Sequence, residues 1–374
     1  MEKIGVYVLP VKQLGEFLLD FYQTNFGIEE SFAKVIVSEY ADPLIAVLKD
    51  DLTMVIEHPY VDKMYRNTFY HFYSSKLKPY KRDSLRISFF SVAIDEKKFW
   101  QKEYVDYLQE KDYYYGFLVL RPTLPKIIGR NAINPKAFKD HKFRCCAARI
   151  PATVNAVKFV SEAFPHSSQD GQVITCAETT IWSLLEYFGN RYAEYKPLLP
   201  SDIHQILRKF SFKRQMPSDG LTAEQIAYTV REVGFGAMLY SKAKHQELFY
   251  GALSAFIESG IPVVGVIKGT NLAHAVNIIG AAIDDRKAIV NVEKPPFEND
   301  VDDHLIIDYN KVARKYVFID DNHPPYRLAD LDKPCTHYKH ADWQACQLTN
   351  IIVPLYHRIY LDPIRVEISL NMTT

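Results

Sequence analysis

The hydrophobic pattern changes its period once, in the second half of the chain. Apolar residues first recur at the three-and-four spacing of amphipathic helices and then alternate or cluster as they do in strands. The predicted helices are 176–188, Thr222–Val233 and Glu247–Ser259, and the predicted strands are Pro262–Lys268, Ala273–Ile283, Ala288–Glu293 and Tyr316–Asp320. Helices followed by consecutive strands are typical of an α+β domain with an antiparallel sheet, and we expect that fold class here.

The first half of the chain mixes both periods, which predicts a separate mixed α/β domain. The predicted elements are a strand at 4–10, a helix containing Leu14 to Phe21, strands between Val35 and Ile56, an aromatic helix at Val61–Tyr73, strands at Ile87–Val92 and Tyr115–Leu120, and a strand pair at Cys145–Val160 that turns near Thr153–Asn155. A polar stretch near Asn134–Lys142 marks the expected boundary. We therefore predict an N-terminal domain at 1–145, a second domain at 146–330 and a C-terminal extension at 331–374.

The charge balance limits the classes of partner. The 374 residues include 45 Lys plus Arg and 45 Asp plus Glu, so the formal net charge is zero. A protein that coats nucleic acid needs a basic excess to neutralise phosphates, and a polybasic membrane binder needs one as well. The expected partner is therefore a protein or a peptide, with no nucleic acid and no membrane.

The cellular compartment is predicted from what the sequence lacks. No apolar run reaches the roughly 18–20 residues needed to span a bilayer, and the first residues show no secretory signal. Five cysteines are an odd number in a long chain, which favours free thiols in a reducing compartment. We expect a cytoplasmic protein. Cys335, His337, His340 and Cys346 match no common zinc-ligand spacing, so neither a metal nor a cofactor is expected.

Cys176 is the candidate nucleophile because of its position at a helix start. Thr175 and Glu178 fit the capping-box pattern, and Gly189 is the expected C-terminal cap. The amides and dipole at a helix N-terminus favour a thiolate and can help to hold an oxyanion. A buried helix can also carry a cysteine there without any catalytic role.

A nucleophilic thiol needs a base and an acceptor that orients the base. His274 begins the return strand of a predicted hairpin after Gly269, and it shares a strand face with Val276. Asp320 ends an apolar strand and is the first choice for the orienting carboxylate, with Asp321 as its rival. A hairpin histidine satisfied by a loop carbonyl, and ordinary turn chemistry at the aspartates, are the alternatives.

A side-chain amide that could complete an oxyanion hole lies in the loop before Cys176. Gln169 is the first choice and Gln172 the alternative, while an ordinary surface loop would have the same composition.

In this order, Gln169, Cys176, His274 and Asp320 resemble the papain-like cysteine peptidase superfamily, in particular bacterial peptidases similar to bacteriocin-leader-processing enzymes. The resemblance covers about 163–327, and Ala177 stands where those peptidases commonly have glycine. It implies a papain-like domain with Cys176 as nucleophile, His274 as base, Asp320 as orienting residue and Gln169 as oxyanion donor. The implied function is cleavage of a peptide or isopeptide bond. The alternatives are an acyltransferase of the same fold and a non-catalytic protein-binding module.

The N-terminal part resembles segments of uncharacterised bacterial proteins that carry such peptidase domains. Its aromatic helix, with Tyr65, Phe69 and Tyr73, either closes the core of this part or forms a contact face. The second possibility would make the N-terminal part a substrate- or partner-recognition module.

Overall fold

The structure is a computed structural model that describes residues 5–210, 220–246, 248–282, 314–356 and 362–365. The predicted strand Ala288–Glu293 lies outside these residues. None of the helices in the described ranges is long and apolar enough to cross a membrane.

Helices occur in both halves of the chain. They are α1 (Leu14–Phe26), α2 (Glu30–Ile36), α3 (Asp42–Val47), α4 (Lys63–His71), α5 (Lys102–Glu110), α6 (Cys176–Arg191), α7 (Pro200–Arg208), α8 (Ala223–Glu232), α9 (Lys242–His245), α10 (Leu248–Glu258) and α11 (Ala341–Gln344).

The strands form three sheets. They are β1 (Gly5–Pro10), β2 (Thr53–Tyr60), β3 (Ser84–Phe90), β4 (Tyr114–Leu120), β5 (Ile128–Ile133), β6 (Phe143–Cys145), β7 (Ala148–Val154), β8 (Val157–Ala163), β9 (Gly236–Ser241), β10 (Val263–Lys268), β11 (Ala273–Ala282), β12 (Tyr316–Ile319), β13 (Arg327–Ala329) and β14 (Gln347–Leu355). Helices together with antiparallel sheets confirm the predicted α+β class.

The chain folds into two compact units that are each discontinuous in sequence. Unit 1 contains 1–141, 147–233 and 319–326, and unit 2 contains 142–146, 234–318 and 327–374. These boundaries differ from the three consecutive segments expected from the sequence. One reason is that short segments pair away from their sequence neighbours, as β6 does when it joins β11 in unit 2.

Unit 1 is built on the antiparallel meander β1-β2-β3-β4-β5. A two-stranded hairpin of β7 and β8 accompanies this sheet and turns at Asn155 and Ala156, which both have positive φ. Two consecutive positive φ values match the type I′ turn that the twist of a hairpin favours. Phe159 of β8 packs with Phe90 and Tyr114 of the meander, so hairpin and sheet share a core.

Buried charge joins α6 to the N-terminal sheet within unit 1. Glu186 of α6 accepts from Lys63 Nζ of α4 at 2.7 and 3.0 Å. Asp62 caps α4 and accepts from Arg130 Nε of β5 at 2.9 Å. The helix that begins at Cys176 therefore belongs to the same unit as the N-terminal meander, and a chain that started at 146 would lack the partners of Glu186.

Unit 2 is built on a sheet in the order β13-β12-β11-β10-β14-β9, with β6 added to β11. β10 and β11 form the predicted antiparallel hairpin, in which His274 is opposite Ile267. The segment expected to be a C-terminal extension supplies β14, which pairs with both β10 and β9. β14 is therefore an internal strand of this sheet.

Two local predictions from the sequence were wrong. The run Val35–Val37, expected in a strand, lies at the junction of α2 with a π-helical turn at Val37–Ala41. The buried residues of this segment follow a helical spacing, and they are Ala33, Ile36, Val37 and Ala41. Gly189 is inside α6 and does not end it, because the helix continues to Arg191. A Cβ at Gly189 would lie 2.5 Å from the Pro197 ring, so the glycine permits close packing there.

Candidate active site

Cys176 is the first residue of α6, and its thiol is partly exposed. The Glu178 carboxylate accepts from the Thr175 backbone N–H at 3.2 Å and from the Thr175 hydroxyl, which closes the predicted capping box. The chain enters the helix in a fixed geometry as a result. The thiol lies at the positively polarised end of a 16-residue helix, as the sequence predicted.

The loop at 167–175, which leads into α6, is organised by one buried carboxylate. Asp170 Oδ1 accepts from the backbone N–H groups of Gln172 at 2.9 Å, Val173 at 2.9 Å and Ile174 at 3.0 Å. The Asp170 N–H in turn donates to the Ile174 carbonyl at 3.1 Å. This role of Asp170 was not predicted from the sequence, although an aspartate followed by glycine is a common turn signal.

Gln169 is held at both its backbone and its side chain. Arg121, at the end of β4, donates through Nη2 to the carbonyls of Ser168 at 3.0 Å and Gln169 at 3.4 Å. Gln169 Nε2 donates to Asn322 Oδ1 at 2.7 Å. The alternative oxyanion donor, Gln172, has an exposed side chain.

The turn that contains Asp320 is bound to the same unit as Cys176. His166 Nε2 donates to the Asp320 carbonyl at 3.1 Å, and the other ring nitrogen accepts from Asn131 Nδ2 at 2.8 Å. Burial lowers the pKa of His166 to about 4, so the ring is neutral at pH 7. A neutral ring that donates to a carbonyl carries its proton on Nε2, which fixes the tautomer.

The far end of this turn has its own anchor. The Tyr326 hydroxyl donates to the Ile133 carbonyl at 2.8 Å and accepts from the Phe164 N–H at 3.0 Å. Between the two anchors, Asp320 Oδ1 accepts from the Asn322 N–H at 3.0 Å, and both Asp320 and Asp321 are buried.

His274 belongs to unit 2 and is the second residue of β11. Its buried ring meets the Trp343 ring edge to face, with centroids 5.5 Å apart, and Trp343 stacks on Tyr338 at 4.7 Å. Val276 and Ile278 share its strand face and belong to the apolar core of unit 2. Cys176, Gln169 and Asp320 lie in unit 1, so three of the four predicted site residues share one compact unit.

Three of the other four thiols, those of Cys145, Cys335 and Cys346, have less favourable surroundings than Cys176. All five cysteines are free. Burial raises the pKa of Cys145 to about 12 and also raises the pKa of Cys346, whose thiol donates to the Asp342 carbonyl at 3.2 Å. Cys335 is buried as well. A thiol in such surroundings is a poor nucleophile.

Comparison of this chain with models of known protein families and with curated proteins found no match.

Proposed function

We propose that this protein is a cysteine peptidase with a papain-like fold, and that it cleaves a peptide or isopeptide bond in a protein or peptide substrate. The Cys176 thiolate attacks the substrate carbonyl carbon. His274 takes the thiol proton and returns it to the leaving amine, and water then releases the acyl group from sulfur. Asp320 orients the imidazole, while Gln169 and the Cys176 N–H stabilise the oxyanion.

The observation that carries the proposal is the hydrogen bond from Gln169 Nε2 to Asn322 Oδ1. It joins the loop before Cys176 to the turn of Asp320, although about 150 residues separate the two in sequence. A sequence-derived set of catalytic residues must converge in space, and this contact supports convergence within unit 1. The partly exposed cysteine at a helix start is the second support.

The free thiols also support a reducing compartment such as the cytoplasm. A fractionation experiment that found the protein with its cysteines oxidised in an extracellular compartment would contradict this part of the proposal.

The test is labelling of the full-length protein with an electrophilic thiol probe, followed by peptide mapping and by cleavage of a peptide library. We expect Cys176 to be labelled first and Cys176→Ala to lose both labelling and cleavage. Cys146→Ala is the matched control, because Cys146 is also partly exposed but donates to the Gly260 carbonyl in unit 2. Preferential labelling of Cys335 or Cys346 would reject the assignment.

The library experiment also separates the alternatives. Mass gain on an added amine, without chain cleavage, would show an acyltransferase that uses the same Cys176 acyl intermediate. A wild-type protein that neither reacts faster at Cys176 nor turns over any peptide would be a binding module, and the peptidase proposal would fail.

A further inference from the structure

We propose that Asp170 is a positioning residue for the thiol site, which acts by holding the 167–175 loop between Gln169 and Cys176. This inference rests on the proposed function. Asp170 does not touch the reacting atoms in this scheme. It fixes the path of the backbone that carries the oxyanion donor at one end and the nucleophile at the other.

The contacts of Asp170 cover almost the whole of this path. Its Oδ1 accepts from three successive N–H groups at 172–174, and the N–H groups of Asp170 and Gly171 donate back to the Ile174 carbonyl at 3.1 and 3.3 Å. Ile174 is followed directly by Thr175, the N-cap of α6. One carboxylate oxygen therefore sets where the helix of Cys176 begins.

The second oxygen of Asp170 faces the interior of unit 1. The Asp170 side chain is buried, and the loop N–H groups donate to Oδ1 and not to Oδ2. Burial first, and then the Asp170 charge, raise the pKa of the buried Tyr73 hydroxyl far above its usual range. The positive charge of Arg121 acts in the opposite direction and lowers the pKa of the same hydroxyl. The carboxylate is thus a fixed part of the interior and is not a solvated loop residue.

Arg121 holds the other side of Gln169. Its Nη2 contacts the Ser168 and Gln169 carbonyls, while its Nε and Nη1 are buried without hydrogen-bond partners in the described part of the chain. The backbone on both sides of the Gln169 side chain is consequently bound to a buried ionic group. Burying an ionic group costs free energy that an apolar group in the same place would not cost. Proteins keep such groups at sites where a fixed geometry is needed.

Asparagine at 170 would preserve part of this arrangement. Its Oδ1 can still accept from the three N–H groups, and its Nδ2 can donate towards the Tyr73 hydroxyl. Alanine would leave three buried N–H groups without their acceptor, and the loop would have to rearrange to hydrate them. Asp170→Asn and Asp170→Ala therefore separate the hydrogen bonds from the charge.

The experiment compares two reactions of Cys176 in the full-length protein. Acylation by p-nitrophenyl acetate passes through a tetrahedral oxyanion as the thiolate displaces p-nitrophenolate, whereas alkylation by iodoacetamide displaces iodide without an oxyanion. If the Gln169 side-chain amide or the Cys176 N–H is displaced, acylation should slow more than alkylation does. We expect Asp170→Ala to reduce acylation about tenfold more than alkylation, and Asp170→Asn to restore most of the difference.

Asp62→Ala is the matched control, because Asp62 is another buried aspartate of unit 1 that accepts from two helix N–H groups. It should lower the melting temperature without changing the ratio of the two rates. If Asp170→Ala does not fold, Asp170→Ser, which retains a shorter acceptor, should show an intermediate ratio.

The failure of this inference can be told apart from failure of the proposed function. If wild type and Cys176→Ala are acylated equally fast, the thiol chemistry itself is rejected. If wild-type Cys176 reacts preferentially but the Asp170 variants keep the wild-type ratio of rates, then Asp170 has only a structural role and the inference is overturned.

Discussion

The two units differ in what they bury. The buried carboxylates of the described residues all lie in unit 1, and they are Asp62, Asp170, Glu178, Glu186, Asp320 and Asp321. In the part of unit 2 that the structure describes, the core is an apolar cluster, and its buried polar exceptions are Ser254, His274 and Asn277. A side chain such as Arg314 in unit 2 finds its partner in Glu258, which is 44% exposed.

In unit 1, directional contacts of buried charged groups therefore add to apolar packing, whereas the described core of unit 2 depends mainly on packing. A buried ion pair adds little net stability over a well-packed apolar pair, but removal of one partner is costly. In unit 1 such pairs connect segments that are far apart in sequence. Arg86 of β3, for example, donates to Glu57 of β2 and to the Thr153 carbonyl of β7. The comparison indicates that unit 1 has the fixed polar geometry that the proposed thiol site requires.

The largest expected effect comes from His274, the buried imidazole of unit 2 that the proposed mechanism uses as the base. We expect His274→Ala to reduce turnover by about 10³-fold or more while the protein stays folded, because the proposed mechanism assigns the base role to His274 alone. Asp320→Asn should cause a smaller loss, since a base without its orienting carboxylate can still act. Steady-state turnover and circular dichroism measure both effects.

The neighbouring carboxylate provides the control for that experiment. If Asp321→Asn lowers turnover and Asp320→Asn does not, the orienting role belongs to Asp321. If both variants retain wild-type turnover, the triad is reduced to a Cys–His pair and neither of these two carboxylates orients the base.

Removal of one buried carboxylate should destabilise unit 1 strongly. Asp62→Ala removes the cap of α4 and leaves Arg130, whose side chain is only 11% exposed, without its 2.9 Å partner. We expect a loss of about 3–5 kcal/mol in the free energy of unfolding, measured by urea denaturation. Asp62→Asn keeps the backbone acceptor and should lose less.

Unit 2 offers an apolar counterpart to that change. Ile278→Ala in its core should cost about 2–5 kcal/mol through the cavity it creates. If Asp62→Ala proves no more damaging than an exposed substitution such as Glu30→Ala, the contrast between the two units is wrong.

Acid should weaken unit 1 through His166. Burial lowers the pKa of His166 from 6.5 to about 4, and the charges near the ring are those of Asp320 and Arg121. Between these two pH values the unfolded chain binds a proton that the folded chain does not, so stability falls as the pH falls from 6.5 to about 4. The loss is about 3 kcal/mol at most.

A variant without an ionisable side chain at position 166 isolates the contribution of His166 to the pH dependence of stability. His166→Gln cannot take up a proton, so its unfolding free energy should fall less than that of wild type between pH 7 and pH 4. Equal acid sensitivity in the two proteins would mean that the buried imidazole does not control the acid stability of unit 1.

Local signals in the sequence predicted much of the fold. The capping box at Thr175, the aromatic helix at Val61–Tyr73 and the hairpin of Val263–Lys268 with Ala273–Ala282 are each encoded within a short window. The run Val35–Val37 was wrongly predicted to lie in a strand, because three consecutive β-branched residues fit a strand as well as a helix. The helix Pro200–Arg208 is absent from the sequence prediction, although proline is favoured in the first turn of a helix.

The groups that organise the candidate site were not predictable in the same way. Asp170 accepts from its own loop, and that local pattern is common to many turns. His166 donates a hydrogen bond to the Asp320 carbonyl, 154 residues away in sequence. Arg121 donates to the Ser168 carbonyl, 47 residues away. Such pairs follow from the way strands of unit 1 are brought together, and the spacing of residues in one window holds no information about them.

The smallest effect tests the aromatic helix of the N-terminal part. Tyr65 is almost fully buried, and its hydroxyl donates to the Lys81 carbonyl at 2.7 Å, whereas Tyr70 on the same helix is 60% exposed. We expect Tyr65→Phe to lower the free energy of unfolding by about 1 kcal/mol, and Tyr70→Phe to leave it nearly unchanged. If Tyr65→Phe instead unfolds like wild type but binds or cleaves a peptide substrate less well, Tyr65 belongs to a contact face, and the N-terminal part would recognise substrate directly.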